Sequence, residues 1–227
     1  GQWRITPPRL TRALLSGLDD ILHFDAEFTH YEIEVDGRVT AHFADGRRAT
    51  GDVLIGADGS RSRVAKQYLR RDELVDTGWT AVACFLPLTE HTRSWLPTNL
   101  KRGLCFVTSR VPVFGFNAVY DPLGEPEEER YAFHAVTWKV TEDDNPSEQD
   151  HNLVSKLVGA KVKTWHPHLR RFVAESTSTC VIPLRYSEPC QPWRPSNVIL
   201  LGDAIHSMPP TARRGGNTAL RGAHLLS

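Results

Sequence analysis

Two stretches decide how this sequence is read: Asp52-Val53-Leu54-Ile55-Gly56-Ala57-Asp58-Gly59 and Val198-Ile199-Leu200-Leu201-Gly202-Asp203-Ala204. Each is a short apolar run that breaks at glycine and aspartate. A run of this kind fits a strand covered on both faces, and such strands belong to parallel sheets. In an open α/β sheet, ligands gather beyond the carboxyl ends of the strands. Glycine lets a bound group approach the backbone there, and aspartate accepts hydrogen bonds from sugar-like hydroxyls. Asp58, Gly59 and Asp203 are therefore the first candidate site residues.

Beyond Asp203 the chain runs through His206-Ser207-Met208-Pro209-Pro210 to Gly215-Gly216-Asn217, then to Leu220, Ala223 and Leu225 at helical spacing. A helix that starts on glycines has open backbone N–H groups, which suit an anion or a carbonyl oxygen. Gly215, Gly216 and Asn217 join the candidate site. Upstream of Asp52, the segment from Ile21 to Val53 alternates through Tyr31, Ile33, Val35, Val39, Ala41 and Phe43, punctuated by Asp36-Gly37 and Asp45-Gly46. Asp-Gly between alternating runs is a hairpin signal, so a small antiparallel meander is expected. Leu10, Leu14, Leu15 and Leu18 behind Pro7-Pro8 predict an amphipathic helix ending near Asp19.

The middle of the chain, from about Asp72 to Ala135, is rich in strand formers such as Val82-Ala83-Cys84-Phe85, Leu104-Cys105-Phe106-Val107 and Phe114-Gly115-Phe116. Glu125 to Arg130 and Thr141 to Asp150 read as solvated loops. Leu153, Leu157 and Val158 predict one helix, His166 to Phe172 another, and Cys180 to Leu184 a strand. Trp79, Phe85, Phe106, Phe114, Phe116, Phe133 and Trp138 either pack a core or line a pocket for an aromatic ring, and His134 is the central histidine to test as a substrate contact.

Composition removes several classes of function. Lys and Arg number 27 and Asp and Glu number 27, so nothing in the charge balance favours a nucleic-acid partner. Cys84, Cys105, Cys180 and Cys190 are far apart and read as structural or inert thiols. No apolar run is long enough to span a bilayer, and the first ten residues do not form a signal peptide, so a soluble cytoplasmic protein is expected. A hydrolase built on Asp203, His206 and Ser207 would lack the G-x-S-x-G elbow, and its Ser and His are adjacent on a turn. His166, His168 and His206 have no acidic or cysteine partner at metal-ligand spacing.

Taken together and in this order, Asp52 to Val64 and Gly202 to Leu220 resemble the DG and GD motifs of the flavoprotein monooxygenases, the FAD-dependent aromatic hydroxylases with a para-hydroxybenzoate-hydroxylase-like fold. The resemblance implies an α/β fold: a Rossmann-like FAD-binding domain, at residues 1–71 and 181–227, with an inserted antiparallel β-sheet substrate domain at 72–180. It implies that Asp203 bonds the FAD ribityl hydroxyls. Gly216 and Asn217 then present backbone N–H groups at the flavin's pyrimidine edge, and Gly215 beside them is also implied to bind the cofactor. Asp58 and Gly59 lie near the pyrophosphate and the nicotinamide approach, with Arg61 and Arg63 as phosphate contacts. The implied reaction uses NAD(P)H and O2 to hydroxylate an aromatic small molecule, phenolic or polyketide-like, and no general base is named for it.

The sequence departs from the family pattern in places. There is no G-x-G-x-x-G, the loop that holds the FAD pyrophosphate, so the glycine-rich unit of the Rossmann-like domain is absent from these residues. An arginine that usually contacts FAD is replaced by Pro7, with Arg4 and Arg9 nearby. The DG motif closes on Ala65-Lys66 rather than arginine, and the GD motif carries Arg213 and Gly222 where glycine and aspartate are usual. The chain opens on Gly1, and its one methionine is Met208. The expectation is the middle and rear of a larger enzyme, inactive alone. The alternative is a non-catalytic remnant that does not hold FAD.

Overall fold

The computed structural model describes residues 6–70, 74–101, 104–122, 126, 130–146, 150–190, 196–210 and 214–227. Arg4, Arg213, the expected boundary at 71/72 and most of the acidic stretch from Glu125 to Arg130 lie outside them. The chain separates into two compact units. One takes the residues up to Leu14 with Gly78–Leu184, and the other takes Leu15–Thr77 with Arg185–Ser227.

Helix α1 spans Pro7–Leu15. It stops short of the expected Asp19 because Gly17 adopts φ +79, the left-handed geometry that ends helices. A single 3₁₀ turn follows at Asp19–Ile21.

The second unit holds the expected meander: β1 (Phe28–Ile33), β2 (Val39–Phe43) and β3 (Arg48–Gly51), antiparallel in that order. Its two turns work alike. Gly37 and Gly46 take φ +88 and +86, and Asp36 and Asp45 each accept from the backbone N–H and the Nε of the arginine two residues on, Arg38 and Arg47. The run from Leu54 to Gly56 forms β4, and Val198–Leu200 forms β10 beside it. They pair in parallel, Val198 to Leu54, Ile199 to Ile55 and Leu200 to Gly56. The parallel pairing agrees with the sequence reading, but full burial does not. Val198, Gly56 and Leu200 are buried, whereas Ile55 is 47% exposed, because alternate side chains point to opposite faces and one face of this two-stranded sheet is the covered one.

Helix α2 (Arg63–Leu69) covers that face. Its Val64 and Ala65 join Tyr31, Val39, Val198 and Leu200 in one core. Gln67 docks α2 to β1 by pairing with the backbone of Tyr31 through both ends of its amide, at 3.0 and 2.7 Å. The approach is so close that a Cβ on Gly56 would lie 2.7 Å from Val64 Cγ1 and 2.9 Å from Leu200 Cδ2. Only glycine fits there. After β10 come a short helix α7 (Asp203–His206) and the longer α8 (Gly215–Leu226).

The first unit is built on a five-stranded sheet in the order β6-β7-β8-β5-β9. Its strands are β5 (Val75–Pro87), β6 (Cys105–Thr108), β7 (Val113–Tyr120), β8 (Tyr131–Lys139) and β9 (Ser178–Tyr186). Helices α5 (His151–Lys161) and α6 (Pro167–Ala174) bring Val154, Val158, Leu169 and Phe172 against Val82, Cys84, Val136 and Trp138 on one face. The stretch read as strand-rich also contains two short helices, α3 (Glu90–Trp95) and α4 (Thr98–Lys101). Thr89 starts the first by accepting from Thr92 N. All four cysteines are free, and burial pushes the Cys84 thiol up to about 12.

Candidate functional site

The parallel pair brings the two glycine-aspartate turns to the same end of one ladder. Leu201 N donates to Gly56 O at 2.9 Å, so the ladder continues to the point where both strands turn. From there the two aspartates behave differently. The Asp58 carboxylate turns back onto α2: one oxygen accepts from Ser62 Oγ at 2.5 Å and the other from Arg63 N at 2.8 Å. Ser62 Oγ in turn accepts from Ala65 N at 2.8 Å. The N-terminus of α2 is thereby capped from within, and Gly59, at φ +84, makes the turn that allows it.

Asp203 opens α7 behind Gly202, which takes φ +60 and whose added Cβ would meet Ala219 Cβ at 3.3 Å. The Asp203 side chain is exposed and has no hydrogen-bond or ion-pair partner among the described residues. A Cβ on Gly215 would sit 3.8 Å from Asp203 Oδ1, so the start of α8 stands directly beside this carboxylate. Arg214 caps α8 without a side-chain bond, and the first intrahelical bond runs from Thr218 N to Arg214 O at 2.8 Å. The N–H groups of Gly215, Gly216 and Asn217 have no acceptor among the described residues. Added bulk at Gly216 would meet nothing within 4 Å. An acceptor-only carboxylate thus lies on an open surface beside a row of N–H groups that have no acceptor among the described residues.

Beside this, within the same unit, is a cleft of about 560 Å³ lined by Ser60, Arg61, Lys66, Asp76, Arg185 and Ser187, with Ala204. Asp76 and Arg185 pair at 3.6 Å. The two arginines expected at phosphate groups separate here. Arg61 is exposed on the cleft and has no partner among the described residues. Arg63 is not available, since its guanidinium bonds Phe28 O at 2.5 Å and Glu27 Oε1 at 2.6 Å.

In the sheet of the other unit, strand alternation sorts the aromatic residues. Phe85, Phe116 and Phe133 share the face opposite α5 and α6, with Phe116 to Phe133 at 5.3 Å and Phe85 to Phe133 at 6.0 Å between ring centres. Phe106 continues it at 5.7 Å from Phe116, and Trp79 and Phe114 pair at 5.8 Å. Six of the seven aromatics singled out therefore form a half-exposed face rather than the core. Trp138, 1% exposed, is core. So is His134, which corrects its reading as a substrate contact. It is 0% exposed, lies 5.8 Å from both Trp165 and Phe172, and is pushed down to about 4 by burial.

The family described as FAD binding domain matches residues 2–227. The chain belongs to this FAD-binding-domain family. A crystal structure from Photorhabdus luminescens subsp. laumondii, assigned as an FAD-containing monooxygenase, is similar at TM-score 0.85 and 30% identity, over 96% of this chain and 61% of that one. The dual O-methyltransferase/FAD-dependent monooxygenase elcB of Phaeosphaeria nodorum is 29% identical over 93% of this chain and 27% of its own length. The 6-hydroxynicotinate 3-monooxygenase of Bordetella bronchiseptica is 26% identical over 96% of this chain and 53% of its own. The chain thus spans about half or less of these two relatives.

The residues present in this FAD-binding-domain chain fit the cofactor. FAD carries hydroxyls that need an acceptor, which Asp203 is, and a ring edge of acceptors that needs N–H donors, which the start of α8 supplies. No helix among the described residues is long and apolar enough to cross a membrane.

Proposed function

We propose that this chain is the flavin- and substrate-holding part of an FAD-dependent monooxygenase that uses NAD(P)H and O2 to hydroxylate an aromatic small molecule in the cytoplasm. The observation that carries the reading is the Asp203 carboxylate, exposed and without a partner among the described residues, with Gly215 of the open α8 N-terminus directly beside it. When bound, FAD supplies the redox chemistry, passing electrons from NAD(P)H to O2.

The chain's own residues bind and orient. Asp203 is the acceptor for the ribityl hydroxyls. The N–H groups of Gly215, Gly216 and Asn217 donate to the pyrimidine edge, where they stabilise developing negative charge. Asp58 is a positioning residue: by holding α2 it fixes Gly59 and Ser60 at the mouth of the cleft. Arg61 there provides a cation for a dinucleotide phosphate. Phe85, Phe106, Phe116 and Phe133 offer ring faces to a planar substrate.

The test is spectroscopic and uses the protein in its complete genomic form. Flavin absorbance should travel with the purified protein or appear on adding FAD, and NADPH oxidation should accelerate when the right phenol is supplied. Protein that shows no flavin bands in excess FAD would be the non-catalytic remnant instead.

A further inference from the structure

On the solvent face of the meander, three potential metal ligands from β1 and β2 converge. His30 and Glu32 lie two residues apart and share a face of β1, and the register sets His30 directly opposite His42 on β2. Their ligand atoms all lie within 4.8 Å of one another. His42 Nε2 is 3.4 Å from one Glu32 oxygen, and His30 Nε2 is 3.9 Å from the other. Donor atoms bound tetrahedrally to one ion at about 2.0–2.2 Å stand roughly 3.4 Å apart. The first spacing already has that value, and the second needs a small rotation of side chains that are more than half exposed.

Hydrogen bonding prepares the same atoms. The hydroxyl of Thr29 has one proton and gives it to His42 O at 3.0 Å. Toward His30 Nδ1, 3.1 Å away, it can then only accept, so Nδ1 carries the proton and Nε2 is left with its lone pair facing Glu32. An outer hydrogen bond that fixes the tautomer in this way is the usual support of a metal-binding histidine. His42 Nε2 is buried and has no hydrogen-bond partner among the described residues. The two rings stack at 4.3 Å and 11°. An imidazole binds a metal in its own ring plane, so one cation shared by both nitrogens and the carboxylate requires the more exposed His30 ring to tilt out of this stack. The charged neighbours on this face are Arg48, opposite His42 on β3, and Glu34, which accepts from Thr40 Oγ1 at 2.6 Å.

We propose that His30, Glu32 and His42 bind one divalent transition-metal ion of the zinc type, through two imidazole nitrogens and one carboxylate oxygen, with water completing the shell. Zinc titrated calorimetrically into the metal-stripped full chain at neutral pH should bind with one equivalent. His30→Gln, His42→Gln and Glu32→Gln should each weaken it about tenfold or more, with His166→Gln as the unaffected control. Glu32 is 62% exposed, so its variant tests the site even if a histidine variant misfolds. No binding by the wild-type chain, or wild-type affinity in Glu32→Gln or in the His30→Gln/His42→Gln double variant, overturns the proposal.

Discussion

The turn after β4 and the turn after β10 leave the same parallel ladder at neighbouring positions, and each sets an aspartate beside a glycine. Asp58 closes on its own chain, while Asp203 stays open. The difference comes from where the next helix begins. After Asp58 there is room for Ser60-Arg61-Ser62 before α2 starts at Arg63, so the carboxylate can loop back over the helix N-terminus. Asp203 is itself the first residue of its helix, with Gly202 in the capping position, and its carboxylate accepts no hydrogen bond from the described residues of its own turn. The same two residue types therefore serve a structural cap in one place and an acceptor left for something else in the other.

Both turns depend on how closely α2 lies on the strands, and Gly56 is where that dependence is sharpest. Gly56→Val should cost about 3 kcal/mol in chemical denaturation, the upper range of overpacking, because the new Cβ would meet Val64 Cβ at 2.8 Å and Leu200 Cδ2 at 2.9 Å. A loss well under about 1 kcal/mol would mean that α2 can move off β4 and that the two turns do not share a frame.

The contrast itself is tested by truncating each carboxylate. Asp58→Ala removes the bonds to Ser62 and Arg63 and should lower stability by about 1–2 kcal/mol. Asp203→Ala should change stability by less than about 0.5 kcal/mol, yet weaken FAD binding about tenfold in the complete protein, which corresponds to about 1.4 kcal/mol. Denaturation and a flavin-fluorescence titration on both variants give the four numbers needed. Equal stability losses would erase the distinction between cap and open acceptor.

Much of this was legible in sequence where a local rule decides. Asp36-Gly37 and Asp45-Gly46 demanded positive φ and produced the hairpins. The apolar runs before Asp58 and Asp203 paired in parallel. Long-range packing was harder to see. Alternation puts Phe133 and His134 on opposite faces of β8, but which face is core depends on where α5 and α6 land, many residues later. Four residues from Val53 to Gly56 likewise do not say that one side is left open at Ile55. His30 and His42 belong to no motif, yet a signal for them was present: closing the chain about Asp36-Gly37, with Glu34 N bonded to Arg38 O at 2.8 Å, sets them opposite each other.

The smallest predicted effect repeats the comparison with cations in place of carboxylates. Arg63 is bound to Glu27 and to the carbonyl of Phe28 with its side chain half exposed, so Arg63→Ala should cost no more than about 1 kcal/mol of stability and leave NADPH use unchanged. Arg61 faces the cleft without a partner among the described residues. Arg61→Ala should leave stability alone and raise the KM for NADPH severalfold, with kcat nearly constant, as expected when a group contributes equally to ground-state and transition-state binding. Removing Arg61 also removes a cation that attracts anions at a distance, so its effect should shrink as salt rises. A KM change in Arg63→Ala, or none in Arg61→Ala at low salt, would show that the available charge on this turn is not the one the hydrogen-bond pattern singles out.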